Sequence, residues 1–253
     1  IPDAEIRNMV ELLIRNTDEY NISRFGWGDA RQGILHVAGP ELGLSQPGIV
    51  LVGADSHTST HGAFGNLSFG IGASETTHVV ATQTIWQRRP NTLRIKIDGS
   101  LGFGVTAKDI ILAVIAKIGI GGAIGYAIEY AGSAISRMSM NERMTICNMS
   151  IEAGGRAGMI APDDTTYQFL AGRPFSPEGH AWDEALKFWR ALPSDAGAEF
   201  GKDVDLDAAR VVPMVTWGTN PEQSLPITER VPDPDKEPDS ERRNEYGKAL
   251  SYM

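Results

Sequence analysis

Apolar residues recur at helical spacing near the start of the chain. Ile6, Val10, Leu13 and Ile14 fall on one face of residues 4–20. A proline just before this stretch suits the first turn of a helix. The pattern predicts an α-helix over residues 4–20.

Short apolar runs alternate with turn residues further along the chain. Residues 33–37 and 48–52 are rich in β-branched side chains and are bounded by glycine or proline. We interpret both runs as buried strands of a parallel or mixed sheet. Residues 92–98 alternate between apolar and charged positions, which predicts a half-buried strand, and residues 126–130 predict another.

Capping signals mark helices between these strands. Ser74 can cap a helix over residues 74–87, and Thr106 can cap the next one. Ser139 begins a capping box, and we expect its helix to run to about Glu152 or two residues beyond. Strands and helices occur together along the chain, so we predict an α/β fold.

The composition changes after residue 221. Residues 221–248 combine several prolines with many charges, and we interpret them as a surface linker or a poorly ordered segment. Boundaries near residue 90 and residue 212 then divide the chain into residues 1–90, 91–212 and 213–253. The first two are expected to be α/β domains and the third a connector.

Charge and cysteine content narrow the classes of function. The net charge is -9, which argues against a general nucleic-acid-binding protein but allows a small anionic substrate in a locally positive pocket. The sequence has no apolar run long enough to span a bilayer, so we expect no membrane association. Cys147 is the single cysteine, so the chain alone can form neither a disulfide nor an iron–sulfur site. A reducing compartment, the cytoplasm, is the natural location.

The first candidate for chemistry is a polar cluster directly after the second apolar run. Asp55, Ser56, His57 and His61 combine a carboxylate with imidazoles, which suits proton transfer near neutral pH. Two alternatives stay open. Asp55 and Ser56 can simply cap backbone N–H groups of a turn, or Asp55, His57 and His61 can bind a single metal ion in a hydrolase.

The second candidate is the pair Asn148 and Glu152, four residues apart on the predicted helix. A buried Glu152 needs a histidine, an arginine or a backbone donor as its partner. The alternative is a surface ion pair of Glu152 with Arg156, again four residues on. His36 lies inside an apolar run, where a lone histidine is more often a hydrogen-bonded core residue than a catalyst.

Several stretches together resemble the aconitase superfamily of hydro-lyases. Residues 53–58 are similar to its Asp-Ser-His-Thr signature, and residues 59–65 are typical of the isopropylmalate dehydratase branch. Further similar stretches follow the order of the family, at residues 32–37, 105–112, 144–154 and 215–221. The resemblance implies an incomplete aconitase-like fold, a three-layer α/β/α arrangement with parallel or mixed sheets. Residues 213–253 are then expected to lead into a third domain that the chain lacks.

The resemblance also implies a reaction and its residues. In this branch, 2-isopropylmalate and 3-isopropylmalate interconvert through isopropylmaleate during leucine synthesis. His36 is implied to pair with Asp55, and His57 with Glu152. These four residues and Ser56 are the catalytic candidates. The resemblance further places Asn148 and His61 near the substrate and the cofactor.

The implied cofactor is a 4Fe–4S cluster that acts as a Lewis acid on the substrate. The three cysteines that bind it in the family belong to segments expected beyond Met253, and an Asp-His pair is expected before Ile1. We therefore expect this chain by itself to bind no cluster and to be inactive.

The implied partners are a small subunit, in a heterodimer or heterotetramer, and a small dicarboxylate substrate. A serine that acts as general base is expected from the small subunit. Because substrate choice rests largely on a small-subunit loop, other malate derivatives stay open as substrates, namely methylmalate, dimethylmalate and homocitrate. A non-catalytic scaffold without a cluster and the single-metal hydrolase are the alternatives from other classes.

Overall fold

A computed structural model describes residues 3–253 of the chain. Its α-helices are α1 (Ala4–Glu19), α2 (Leu35–Leu42), α3 (Ala73–Thr82), α4 (Ala107–Ile118), α5 (Ser133–Ser136), α6 (Met140–Asn148), α7 (Asp164–Leu170), α8 (His180–Trp189) and α9 (Ser240–Tyr252). Its strands are β1 (Val50–Gly53), β2 (Leu67–Gly70), β3 (Asn91–Asp98), β4 (Tyr126–Ala131), β5 (Ala157–Ile160), β6 (Lys202–Asp207), β7 (Met214–Thr216) and β8 (Ser224–Pro226). Short 3₁₀ segments occur at Ser56–Phe64, Met149–Ala153, Ala208–Arg210 and Pro234–Lys236.

The strands within residues 3–253 form three separate sheets. A four-stranded sheet in the order β5-β4-β3-β6 is parallel throughout. β1 and β2 form a parallel pair, and β7 and β8 an antiparallel pair. Parallel strands joined through helices are the mark of an α/β fold, and this predicted class is confirmed.

One face of the central sheet is buried and the other is polar. Leu93, Ile95 and Ile97 of β3 are fully buried in the core, together with the apolar face of α4. The intervening residues of β3 face charged partners on β6; for example, the Arg94 guanidinium lies 2.6 Å from an Asp203 carboxylate oxygen. The alternation of residues 92–98 therefore correctly predicts a half-buried strand.

Local signals predict several other elements. Helix α1 covers the predicted stretch except for its last residue, Tyr20, and β4 begins at the predicted residue. Thr106 caps α4 as predicted, in a capping box with Asp109, and the predicted capping box of α6 forms between Ser139 and Glu142. Between residues 3 and 253, no helix is both long enough and apolar enough to cross a membrane.

Residues 33–37 do not form the predicted strand. Leu35 begins α2 instead, so His36 lies in the first turn of a helix that ends at Gly43 in the left-handed conformation. A short apolar run fits a buried strand and a helix equally well, because its length alone does not distinguish the two periods. The Gly43 stop signal supported the helix.

Three further boundaries differ from the expectation. Gly72, not Ser74, caps α3, which ends at Thr82. Helix α6 ends at Asn148, and the chain tightens into a 3₁₀ turn over Met149–Ala153. Such tightening is common where a helix ends.

The end of the chain is more ordered than a linker. The Asp239 carboxylate accepts hydrogen bonds from the N–H groups of Glu241 and Arg242 and so caps α9. On that helix the Tyr246 ring packs edge-on against Trp217, with the ring centroids 5.1 Å apart. Ala249 is buried in the same small cluster. These few apolar positions are surrounded by charged residues in the sequence, so the pattern did not indicate a helix.

The division of the chain at residues 90 and 212 stays a prediction. The main core contains residues from both sides of the first boundary, such as Phe64.

A close backbone contact fixes the 3₁₀ segment Ser56–Phe64 against β5. A Cβ atom on Gly62 would lie 1.8 Å from the Gly158 carbonyl oxygen. The Ser59 hydroxyl accepts a hydrogen bond from the Gly158 N–H at 2.8 Å. Only glycine at position 62 allows this approach, because any other residue would force the two backbones apart.

We expect Gly62→Ala to lower the free energy of unfolding of the full-length protein by about 2 kcal/mol or more, since overpacked cores lose about 1–3 kcal/mol. Chemical denaturation measures it. Gly247→Ala on α9 is the matched control, because a Cβ there meets no atom within 4 Å. Equal stability of the two variants would contradict the argument.

Candidate active site

Asp55 organises the turn that follows β1. Its side chain accepts a hydrogen bond from the His57 backbone N–H at 2.6 Å, and its carbonyl accepts one from the Thr58 hydroxyl at 2.6 Å. These bonds start the 3₁₀ segment and satisfy donors that would otherwise lack partners. Asp55 therefore caps the turn, as one of the alternatives stated, but its carboxylate also makes further contacts.

The same carboxylate contacts two histidine rings. His36 Nε2, from α2, lies 3.4 Å from Asp55 Oδ1, and His57 Nδ1 lies 3.5 Å from the same oxygen. The Ser56 hydroxyl also lies 3.2 Å from His57 Nδ1. His36 is the more enclosed partner, with 13% of its side chain exposed against 57% for Asp55.

Glu152 completes the arrangement from the far side. Its Oε1 lies 3.2 Å from His57 Nε2, although the two residues are 95 positions apart. Arg156 does not pair with Glu152; it donates to Gln87 at 2.9 Å and its guanidinium lies 4.5 Å from the centre of the Phe69 ring. The surface ion pair of Glu152 with Arg156 is therefore excluded.

Asn148 lies beside these residues and is linked to His57 through a threonine. Its side-chain amide donates to the Thr60 hydroxyl at 2.8 Å, and that hydroxyl donates to the His57 carbonyl at 2.6 Å. The end of α6 is thereby tied to the 3₁₀ segment that carries His57.

Of these residues, His36, His57, Asn148 and Glu152 line one cavity of about 520 Å³. Its walls include parts of α2, of the 3₁₀ segment Ser56–Phe64, of the start of α4 and of the end of α6. The lining residues are His36, Val37, His57, Thr60, Lys108, Met144, Thr145, Asn148, Met149, Glu152 and Pro221. Two imidazoles, a carboxylate, an amide and an ammonium group facing one space can bind a polar anion and transfer protons to it.

His61 lies behind this wall. It is fully buried, with Nε2 3.2 Å from His36 Nδ1 and Nδ1 2.7 Å from the Ser45 hydroxyl. Burial lowers the pKa of His61 to about 4, and the neighbouring His36 adds to the effect. His61 therefore reaches the cavity only through His36.

Asp55 is held in its ionised form. The hydrogen bond from the His57 backbone N–H lowers the pKa of the Asp55 carboxyl, and the contact with His36 lowers it further. An ionised Asp55 can only accept hydrogen bonds, so His36 and the His57 amide must donate to it.

The geometry does not support a single-metal site. In the described part of the chain, no three His, Cys, Asp or Glu side chains converge as metal ligands. Asp55, His57 and His61 in particular cannot do so, because both ring nitrogens of His61 contact Ser45 and His36. Cys147 lies in the core, where burial raises the pKa of its thiol. A 4Fe–4S cluster needs several thiolates, so the residues of this chain do not suffice to bind one.

Three residues of the site were not identified as candidates from the sequence. Thr60 and Ser45 are small polar residues without a diagnostic pattern, and their roles depend on contacts with distant residues. Lys108 had a signal: a lysine in the first turn of α4 lies at the positive end of the helix dipole, where a cation is unfavourable. Such a position suggests a functional reason for the charge.

Comparison with known proteins identifies the class. The model of the aconitase family (aconitate hydratase) matches residues 2–253, and the chain belongs to this family. It is 55% identical over 253 residues to the 3-isopropylmalate dehydratase large subunit of Roseiflexus castenholzii (strain DSM 13941 / HLO8), covering 100% of this chain and 54% of that protein. It is also 55% identical over 251 residues to the protein of the same name from Anaeromyxobacter dehalogenans (strain 2CP-1 / ATCC BAA-258), covering 99% of this chain and 52% of the relative. The chain therefore spans about half the length of the curated relatives it matches.

The buried His61 predicts a pH dependence of stability. Its pKa lies below the ordinary value of 6.5, so below pH 6.5 the unfolded chain gains a proton that the folded chain does not take up until about pH 4. Its contribution is complete above pH 6.5 and is lost as the pH falls towards 4, by up to about 3 kcal/mol.

Denaturation of the full-length protein at pH 7 and pH 4.5 measures this loss. We expect His61→Leu to lose less stability between the two pH values than the unsubstituted protein, because leucine does not titrate. His180→Leu, at an exposed position, should keep the original dependence. The same pH dependence in all three proteins would refute the role of His61.

Proposed function

We propose that this chain is part of the large subunit of a 3-isopropylmalate dehydratase and that it supplies the proton-transfer groups of the active site. The observation that carries the proposal is the convergence of His36–Asp55 and His57–Glu152 beside one cavity. The 55% identity to two large subunits of that name supports the choice of reaction.

Reversible dehydration needs groups that hold and move protons next to the substrate. Water leaves as a hydroxyl group from one carbon and a proton from its neighbour, and it returns with the positions exchanged. His57 Nε2 and Glu152 Oε1, 3.2 Å apart at the cavity wall, can pass a proton between them and to a bound hydroxyl group. Asp55 and Ser56 orient the other ring nitrogen of His57.

Other residues of the site bind and orient. Asn148 can donate to a substrate oxygen in addition to its bond with Thr60, because an amide has two N–H donors. Lys108 lines the cavity and forms no ion pair among residues 3–253, so its charge is free for a substrate carboxylate. His36 holds Asp55 in place from the enclosed side.

The family's cofactor, a 4Fe–4S cluster, supplies Lewis-acid chemistry on the substrate hydroxyl. Its cysteine ligands are proposed in the part of the full-length protein that this chain does not contain. The relatives' name, large subunit, implies a small-subunit partner. We propose a heterodimer or heterotetramer in the cytoplasm, with the small subunit supplying the general-base serine and the loop that selects the substrate.

The decisive experiment uses the full-length protein with its small subunit, reconstituted anaerobically with iron and sulfide. We expect it to convert 2-isopropylmalate into 3-isopropylmalate, followed by chromatography and by the ultraviolet absorbance of isopropylmaleate. Turnover only of methylmalate, dimethylmalate or homocitrate would replace the substrate but keep the reaction class. A loaded cluster without turnover of any of them would favour a non-catalytic scaffold.

Glu152→Gln tests the second histidine–carboxylate pair. The amide keeps the shape of Glu152 but cannot take a proton, so we expect kcat to fall by about 10²–10⁴-fold. The melting temperature should not change, because 35% of the Glu152 side chain is exposed. Glu178→Gln, on an exposed loop, is the matched control and should keep full activity. Unchanged turnover in Glu152→Gln would remove Glu152 from the mechanism.

Lys108→Met tests the binding of a substrate carboxylate. Methionine keeps the apolar stem and removes the charge, so we expect KM to rise about tenfold while kcat stays within about twofold, the cost of one charged hydrogen bond. Lys187→Met, exposed on α8, is the control. An unchanged KM would show that the Lys108 ammonium group does not contact the substrate.

A further inference from the structure

A buried polar pair lies behind His36, away from the cavity. Ser45 and His61 are fully buried, and their contacts run in a line: Ser45 Oγ to His61 Nδ1 at 2.7 Å, then His61 Nε2 to His36 Nδ1 at 3.2 Å. His36 Nε2 continues the line to Asp55 Oδ1 at 3.4 Å. A buried imidazole is costly unless both ring nitrogens have partners, and here both have them.

The fold leaves room for this line at Gly39 of α2. A Cβ atom at position 39 would lie 3.1 Å from His61 Cε1 and 3.4 Å from the Ser45 hydroxyl. Glycine inside a helix costs about 0.5–1 kcal/mol relative to alanine. The helix therefore carries an unfavourable residue at the point where the His61 ring and the Ser45 hydroxyl need space.

The positions of the protons follow from the donors and acceptors. An ionised Asp55 only accepts, so the His36 nitrogen facing it, Nε2, carries a proton. With no proton on His36 Nδ1, that nitrogen accepts from His61 Nε2–H. His61 Nδ1 then accepts from the Ser45 hydroxyl, which is a donor. Every group in the line is satisfied in this one arrangement.

The reverse arrangement leaves a donor without a partner. A proton on His36 Nδ1 requires His61 to accept at Nε2 and to donate from Nδ1 to Ser45. The Ser45 hydroxyl has His61 as its hydrogen-bond partner. If it accepts from His61, its own proton points into the core without an acceptor among residues 3–253. An unsatisfied buried donor costs about 1–3 kcal/mol.

We propose that Ser45 and His61 are positioning residues that favour a proton on Nε2 of His36 over one on Nδ1, so that His36 donates to Asp55. The consequence reaches the cavity, because Asp55 Oδ1 in turn contacts the His57 ring that faces Glu152. This role rests on the proposed dehydratase function and deepens it. The low pKa of His61 agrees with it, because His61 then stays neutral near neutral pH.

Substitutions at position 45 test the donor. In the assembled full-length enzyme, we expect Ser45→Ala to lower kcat about tenfold, the effect of one lost buried hydrogen bond, with KM within about twofold. Ser45→Thr keeps the hydroxyl and should recover most of kcat. A merely structural role for Ser45 would give the opposite order, because alanine fits the space of serine better than threonine does.

Gly39→Ala tests the same line without removing any of its groups. Its Cβ must displace His61 or Ser45 by a few tenths of an ångström, while alanine favours the helix. We expect a lower kcat together with an unchanged or higher melting temperature. Alanine at Gly247 of α9, where a Cβ meets no atom, should leave kcat unchanged.

The outcomes separate the two proposals. Turnover by the unsubstituted enzyme with full kcat in Ser45→Ala and in Gly39→Ala would overturn the positioning role and leave the dehydratase function standing. If the unsubstituted, cluster-loaded enzyme has no dehydratase activity, the function fails and the positioning role fails with it. A tenfold loss in Ser45→Ala that threonine reverses supports both.

Discussion

The rest of the site depends on the contacts of the Asp55 carboxylate. It accepts a hydrogen bond from the His57 backbone N–H at the start of the 3₁₀ segment Ser56–Phe64. It also contacts the ring of His36 on α2 and the ring of His57. A carboxylate with several donors stays ionised and keeps one orientation. Without it, the two histidines would belong to separate elements with no common reference point.

The protein builds this site on rigid neighbours. The segment that carries His57 packs against β5 through the close approach of Gly62 and Gly158, and it is tied to α6 by Asn148 and Thr60. Supporting contacts of this kind hold reacting groups within fractions of an ångström, which proton transfer requires. The same contacts explain why a site with partly exposed carboxylates can still be well defined.

Much of the local structure follows from the residues themselves. The capping boxes at Thr106 and Ser139, the alternation in β3 and the spacing in α1 depend on neighbours within a few positions, so short patterns are sufficient. The wrong predictions of residues 33–37 and of the end of the chain concern stretches without such a clear pattern. The five residues around His36 fit two periods, and the apolar positions of α9 are hidden among charges.

The sequence by itself determined the family resemblance, the α/β class and the identity of the candidate acids and bases, because motif residues and periodicity are written in local order. The order of the residues left both His57 and Arg156 open as partners of Glu152, although the resemblance implied His57. The tertiary structure decides between them: Glu152 lies beside His57, 95 positions away, and Arg156 contacts Gln87 and Phe69 instead. It also placed Ser45 and His61 behind His36. The physical reason is that a hydrogen bond depends on distance and direction in space, and these are set by how the elements pack.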